Sequence, residues 1–397
     1  MKGPAMILDR IFTFRVPQVT MGLGARRQLP TIVSSYGRRV CVVSDPGVVG
    51  QPLIAEVIDG LRAAGLQVGV YSDVPPDPPL GAVRQCAAAA RDMKADVLVG
   101  IGGGSALDVT KVVAVLLVQD CPLESLVGID QVPGRGLPTV LVPTTAGTGS
   151  EVTPIAILSD EGANLKRGVV SDCLLAEQAV IDPQLCLTLP PGPTAYTGMD
   201  TLTHAIEGYA NRFALPLVDS LALEAARLTA LHLRRAVAEG TNEEARYGMS
   251  LASLLGGLCL RSVNTGAVHA LAYPLGGRFH VPHGIANTMV LPWAMELNML
   301  ACQKWFKEIG EAMGENMAGL SDGEAARKTL AAMRQLAEDL AVPQYLSEVG
   351  IPESAISDLV EGAMTQGRLW ANNPRKFTKQ DMEQVYRNMA VRPGSCA

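Results

Sequence analysis

The run ADVLVGIGGGSALDVTK, residues 95–111, decides the fold class. Its first half is a short, unbroken apolar segment rich in valine, the composition of a strand buried on both faces. Gly102, Gly103 and Gly104 break it, and from about Ser105 the spacing turns helical. Glycines at such a turn let backbone approach a pyrophosphate, and the free N–H groups and dipole of the following helix favour negative charge. The run is neither G-x-G-x-x-G nor a Walker A loop, so two readings stay open here: a phosphate cradle or a tight strand–helix turn.

The same plan repeats on either side. Residues 7–34 read as a short β start and a helix from about Ala25; RRVCVVSD (38–45) is a strand ending at Asp45, followed by a helix over 52–64. LQVGVYSDV (66–74) is a strand stopped by PPDPP, and residues 80–93 are helical. PTVLVPTTAGTGSEV (138–152) is another apolar strand, whose loop offers the hydroxyls of Thr144, Thr145, Thr148 and Ser150. Apolar strands alternating with helices predict a doubly wound, Rossmann-like α/β domain over residues 1–190, with ligands at the carboxyl ends of its strands. VIDPQLCLTLPPGP (180–193) reads as the hinge, and residues 191–397, where apolar residues recur at helical spacing, as an all-helical domain.

Length and composition agree with two domains. A chain of 397 residues exceeds what one core supports, and 48% hydrophobic against 18% charged residues describes a folded, well-buried protein. A net charge of -6 and no basic cluster argue against nucleic acid as a partner. No apolar run reaches the ~18–20 residues of a membrane span. The first residues lack signal-peptide features, and eight scattered cysteines without a CxxC pair suit reduced thiols; both point to the cytoplasm.

The second half holds the metal-ligand residue types. In MDTLTHAIEGYA, Asp200 and His204 stand four apart on one helix face; VHALAYPLGGRFHVPHG adds His269 and His283, the latter in a Pro-His-Gly turn. Three imidazoles and a carboxylate suit Fe(II), Zn(II), Co(II) or Ni(II). An N-terminal aspartate beside an incidental histidine is the plainer alternative for the first pair. His280 reads as an outer or surface residue and His232 as structural. Asp45 can accept hydrogen bonds from a ribose and repel a 2′-phosphate, favouring NAD over NADP, or can simply serve an Asp-Pro-Gly turn. A metal facing a dinucleotide predicts hydride transfer between a carbinol carbon and a nicotinamide, with the metal polarising the oxygen.

Several motifs in order resemble the iron-dependent (group III) alcohol dehydrogenases, within the dehydroquinate synthase-like superfamily. These are GLGA (22–25), GIGGGSALDVTK, PTTAGTGSEVT, the DP-x-L-x-x-x-LP pattern at Asp182–Pro190, MDTLTHAIEGY, VHALAYPLGG and PHG. The resemblance implies a dinucleotide domain, a helical metal domain and catalysis in a cleft between them. It implies Asp200, His204, His269 and His283 as metal ligands. Its cofactor contacts carry over onto Asp45, Gly102, Gly103, Gly104, Ser105, Asp108, Thr144, Thr145, Thr148, Ser150, Lys166 and Leu185, with NAD preferred. It also implies a homodimer and a small alcohol or aldehyde, or a hydroxy acid or semialdehyde, as substrate.

The chain departs from that pattern twice. Tyr273 stands where many members have a histidine, and becomes a candidate hydrogen-bond donor. Leu260 stands where many have phenylalanine, which predicts a roomier pocket. The alternatives are a lyase-type NAD/Zn cyclase like dehydroquinate synthase, a maleylacetate reductase-like activity, and a metal-stabilised structural protein.

Overall fold

A computed structural model describes residues 11–162 and 165–392, so the beginning of the β start expected from residue 7 lies outside the described residues. The chain divides into two compact units, Arg15–Leu189 and Pro190 onward. The described residues before Arg15 group with the second unit, whereas the sequence boundary put them in the first. The chain joins the sheet at Gln18.

In the first unit the strands are β1 (Gln18–Met21), β2 (Arg39–Val43), β3 (Gln67–Tyr71), β4 (Val97–Gly102), β5 (Gly128–Ile129), β6 (Thr139–Pro143), β7 (Ile155–Asp160), β8 (Leu165–Val170) and β9 (Gln178–Ile181). Its α-helices are α1 (Leu29–Ser34), α2 (Pro46–Val49), α3 (Pro52–Ala63), α4 (Leu80–Asp92) and α5 (Gly104–Leu116). Six strands make one sheet in the order β1-β9-β6-β4-β2-β3, with every neighbouring pair parallel. β4 and β6 are buried along their whole length, as their apolar runs require. The connection from β3 to β4 passes over β2, so the strand order reverses between β2 and β4. Asp45 and the triple glycine follow the carboxyl ends of those two strands, where open α/β sheets bind ligands.

Two features differ from the sequence expectation. A second sheet, β5-β8-β7, joins an antiparallel hairpin of β7 and β8 to the two-residue β5. Its half-buried LKRGVV strand carries two cations after Leu165, so it is not a continuous apolar run. The stretch read as a hinge from residue 180 also begins inside the sheet, because Val180 and Ile181 belong to β9 and pair with β1.

The motifs at Gly22–Ala25 and Asp182–Pro190 are tied to each other. Gly24, in a left-handed conformation (φ 81°), and Arg26 both donate backbone N–H groups to the Asp182 carboxylate, at 3.0 and 3.2 Å. The Arg26 guanidinium donates to the same carboxylate at 2.8 Å, and Asp182 also caps Gln184 N–H at 3.1 Å. One buried carboxylate thus ties the end of β9 to the turn at Gly24–Arg26.

The second unit is helical throughout its described residues: α6 (Pro191–Tyr209), α7 (Pro216–Ala238), α8 (Glu243–Val263), α9 (Ala267–Phe279), α10 (His283–Ala312), α11 (Asp322–Asp339), α12 (Ile356–Met364), α13 (Gly367–Trp370) and α14 (Lys379–Asn388). Small residues let these helices approach closely; a Cβ added at Gly248 would fall 2.2 Å from the ring of His232, which is structural as expected. No single helix is long and apolar enough to cross a membrane.

Candidate metal centre and nucleotide-binding loops

Three helices of the second unit converge their polar side chains at one point. α6 presents Asp200, His204 and Glu207, at positions i, i+4 and i+7, on one buried face. α9 contributes His269 and Tyr273 one turn apart, and α10 begins with His283 and brings Asn287 one turn later. His204 Nε2 and His269 Nε2 lie 3.2 Å apart; Asp200 Oδ1 lies 3.6 Å from His204 Nε2 and 3.8 Å from both His269 Nε2 and His283 Nε2. Asp200 Oδ1, His269 Nε2 and His283 Nε2 all lie within 4.8 Å of one another, a spacing that suits one ion bound at about 2.0–2.2 Å from each, and His204 Nε2 stands at the edge of this group, beside His269 and Asp200.

The surroundings favour a cation there. The Asn287 amide nitrogen is 2.7 Å from Asp200 Oδ1, 3.0 Å from His269 Nε2 and 3.1 Å from His283 Nε2. Its two protons cannot satisfy three acceptors, so the acceptors are left facing a point that a metal ion would fill. Burial, and then the neighbouring imidazoles of His204 and His283, hold His269 well below its usual pKa, so the ring is neutral, the form in which an imidazole can bind a metal. Burial works to raise the Asp200 carboxyl, but the three histidines and Asn287 outweigh it and keep it ionised.

Glu207 was missed in the sequence, although D-x3-H-x2-E at helical period was a legible signal. Its carboxylate lies 2.5 Å from His269 Nδ1 and accepts the Val268 N–H at 2.7 Å. A carboxylate on Nδ1 fixes the ring tautomer and turns the Nε2 lone pair inward. Burial pushes the Glu207 carboxyl up to about 7, with the backbone N–H groups of Val268 and Gly266 opposing. Glu207→Gln is therefore expected to weaken metal retention about 10–100-fold in a chelator competition. Unchanged retention would mean that Glu207 only ties down the start of α9.

The rings of His269 and His283 flank Tyr273 at 6.3 and 6.0 Å, so its hydroxyl belongs to the wall of this centre. Burial raises its pKa, and it remains a donor. His280 is an exposed cap at the end of α9.

In the first unit the two polar loops meet. Thr144 N–H bonds Gly102 O at 3.0 Å, and a Cβ at Gly104 would lie 2.8 Å from Thr148 Cγ2. Gly102 has φ 156°, and a side chain there would strike Ala106. Gly103 precedes the first turn of α5, where Ser105 lies, and faces Thr145 across the gap. Asp45 caps α2, accepting N–H groups of Gly47 and Val48 at 3.0 Å each through Oδ1; its Oδ2 faces Gly102.

Asp108 and Ser150 are committed internally: the Ser150 hydroxyl bonds Asp108 Oδ1 at 2.5 Å, and buried Lys111 reaches both. The Lys166 ammonium pairs with Asp77, and Leu185 is buried in the core beneath the sheet.

A cluster of three histidines and one carboxylate, all buried but the half-buried His283, and a doubly wound sheet with paired glycine and threonine loops define a metal- and dinucleotide-dependent oxidoreductase. Residues 17–183 match the iron-containing alcohol dehydrogenase family and residues 194–390 its C-terminal part, and the chain belongs to that family. It is 42% identical over 374 residues to long-chain-alcohol dehydrogenase 1 of Geobacillus thermodenitrificans, covering 93% of this chain and 94% of that protein. Among solved structures, a 1,3-propanediol oxidoreductase superimposes with a TM-score of 0.93 at 36% identity, covering 96% of this chain and all of that one. Sulfoacetaldehyde reductase from Bifidobacterium kashiwanohense, solved with NAD+, gives 0.86 at 30% identity, covering 96% and 99%. The chain is thus an NAD(H)-linked oxidoreductase of small alcohols and aldehydes, and this reading prevails over the lyase-type and maleylacetate reductase alternatives.

Proposed function

We propose that Asp200, His204, His269 and His283 hold one divalent ion, Fe(II) before Zn(II), Ni(II) or Co(II), and that this centre serves reversible oxidation of a small alcohol with NAD. The carrying observation is that the Nε2 atoms of all three histidines lie within 3.8 Å of Asp200 Oδ1, with Glu207 on the far side of His269. When bound, the ion supplies a Lewis acid at the reacting oxygen and the nicotinamide supplies or accepts the hydride. Glu207 keeps His269 in the ligating tautomer, and Tyr273 offers a hydroxyl donor beside the reacting oxygen.

Residues 1–190, of which Arg15–Leu189 form one compact unit, are the dinucleotide-binding domain of this reading and residues 191–397 the metal and substrate domain. The pyrophosphate takes Gly102–Ser105 together with Thr144, Thr145 and Thr148; Asp108, Ser150, Lys166 and Leu185 shape that site from below. Asp45 Oδ2, free of the helix cap, accepts from the adenosine ribose and repels a 2′-phosphate. The described cysteines are all free, which supports a reducing cytoplasm, and family likeness supports a homodimer.

An alcohol and aldehyde panel, run on enzyme reconstituted separately with Fe(II), Zn(II) and Ni(II), tests this. NAD(H) turnover that requires metal is expected, with NADP(H) gaining at least about 10-fold relative to NAD(H) in Asp45→Gly. No turnover with any metal would overturn the reading; an unchanged cofactor ratio would reduce Asp45 to a cap.

A further inference from the structure

The wall of the metal centre contains a cation that the reading above does not use. The segment from α12 to Asn373 runs antiparallel along α9, the helix of His269 and Tyr273. At one end Gly362 packs on the Pro274 ring, where an added Cβ would lie 3.0 Å from Cγ. At the other, Asn373 Oδ1 accepts the Ala267 N–H at 3.3 Å and Asn372 Nδ2 donates to the Thr265 carbonyl at 2.8 Å. Between these clamps α13 packs on α9, held by a 2.7 Å bond from Trp370 Nε1 to the Ala363 carbonyl.

Arg368 is the second residue of α13. Its guanidinium acts on both the Tyr273 hydroxyl and the His269 ring. Nη1 of Arg368 is buried without a hydrogen-bond partner, and no carboxylate among the described residues pairs with it. Arg334 and Arg375 also bury a nitrogen, but Glu296 at 2.9 Å and Asp381 at 3.0 Å neutralise them. A guanidinium partly stripped of water and left without a counter-charge is unfavourable until an anion completes it. The side chain is only partly buried, so a ligand can reach it.

We propose that Arg368 is a specificity-determining residue that receives the anionic end, a carboxylate or sulfonate, of a substrate whose alcohol or aldehyde end lies at the metal centre. The preferred substrates are then short ω-hydroxy acids and their semialdehydes, with Arg368 at the anionic end and the Tyr273 hydroxyl at the reacting oxygen. This rests on the dehydrogenase reading above. The reaction is unaltered: the carbinol carbon gives its hydride to NAD+, the hydroxyl proton goes to solvent, and Arg368 only binds.

The test measures kcat and KM on metal-loaded enzyme with 4-hydroxybutyrate and 1-butanol, of equal carbon number, with 2-hydroxyethanesulfonate as the sulfonate arm. Wild type is expected to favour an anionic substrate over 1-butanol. Arg368→Gln is expected to lower kcat/KM for that substrate about 10–100-fold more than for 1-butanol, chiefly through KM, and Arg368→Lys to recover part of it. Calorimetry with butyrate, an unreactive anion, is expected to show binding to wild type that Arg368→Gln loses in the same ratio. If 1-butanol is oxidised with no preference for an anion, and Arg368→Gln lowers all substrates equally, the Arg368 assignment is overturned while the dehydrogenase stands. If no substrate is turned over yet butyrate binding still depends on Arg368, it is the dehydrogenase reading that fails.

Discussion

Replacing His269 with alanine is expected to abolish metal retention and lower kcat/KM by about 10³-fold, the loss of several kcal/mol of electrostatic stabilisation, while NADH still binds. His269 is the best-connected of the proposed ligands. Its Nε2 stands 3.2 Å from that of His204 and 3.8 Å from Asp200 Oδ1, and its Nδ1 meets Glu207 at 2.5 Å. The alanine variant therefore removes one ligand and frees the carboxylate that oriented it, leaving Asp200, His204 and His283 an incomplete set. Metal content by mass spectrometry, NADH titration by fluorescence and aldehyde turnover separate the effects. Full turnover at undiminished metal content would refute the assignment of His269 as a ligand. Loss of NADH binding together with the melting transition would instead report unfolding, and His269→Asn, which keeps a polar side chain against Glu207, then serves as the second variant.

How much of this was legible depends on how local the signal is. The strands β2, β4 and β6 announce themselves because a buried parallel strand is a continuous apolar run, and β7 and β8 do not because half-buried strands mix charge with apolar residues. The four proposed ligand positions stood out by residue type, and the family resemblance singled them out. Glu207 was readable at the same helical period as Asp200 and His204, and was passed over because glutamate on a helix is ordinary. Asn287 repeats that case one turn after His283. Arg368 was not readable at all: its position beside Tyr273 comes from α13 packing on α9, which no spacing in the sequence encodes. Asp108 and Ser150 show the opposite limit, since the residue types that contact a phosphate are also those that satisfy a buried lysine.

That lysine sets the second large effect. Lys111→Met keeps the length of the side chain but removes its charge, and is expected to destabilise the first unit by about 3–5 kcal/mol, the effect of breaking a buried ion pair by deleting one partner. Lys111 is 1% exposed and its ammonium lies 3.0 Å from Asp108 Oδ1 and 2.7 Å from Ser150 Oγ, and reaches the carbonyls of Ser150, Thr153 and Ile155. Without it Asp108 retains the Ser150 hydroxyl and the Ile157 N–H at 2.8 Å but no cation. Glu151, which burial already pushes up to about 7, loses the charge that opposes that shift. The turn from Gly149 to Ile155 is then anchored by fewer bonds, and it continues directly from the loop of Thr145 and Thr148, so NADH affinity is expected to fall with stability. Urea unfolding followed through the first unit measures the change as a lower midpoint at constant slope. Because a buried pair contributes little net stability beside an apolar replacement, the double variant Asp108→Leu/Lys111→Met is expected to recover part of the loss. A midpoint unchanged in Lys111→Met would show that the carbonyls and Asp108 are satisfied without the ammonium, and would leave the loop's anchoring to its backbone bonds alone.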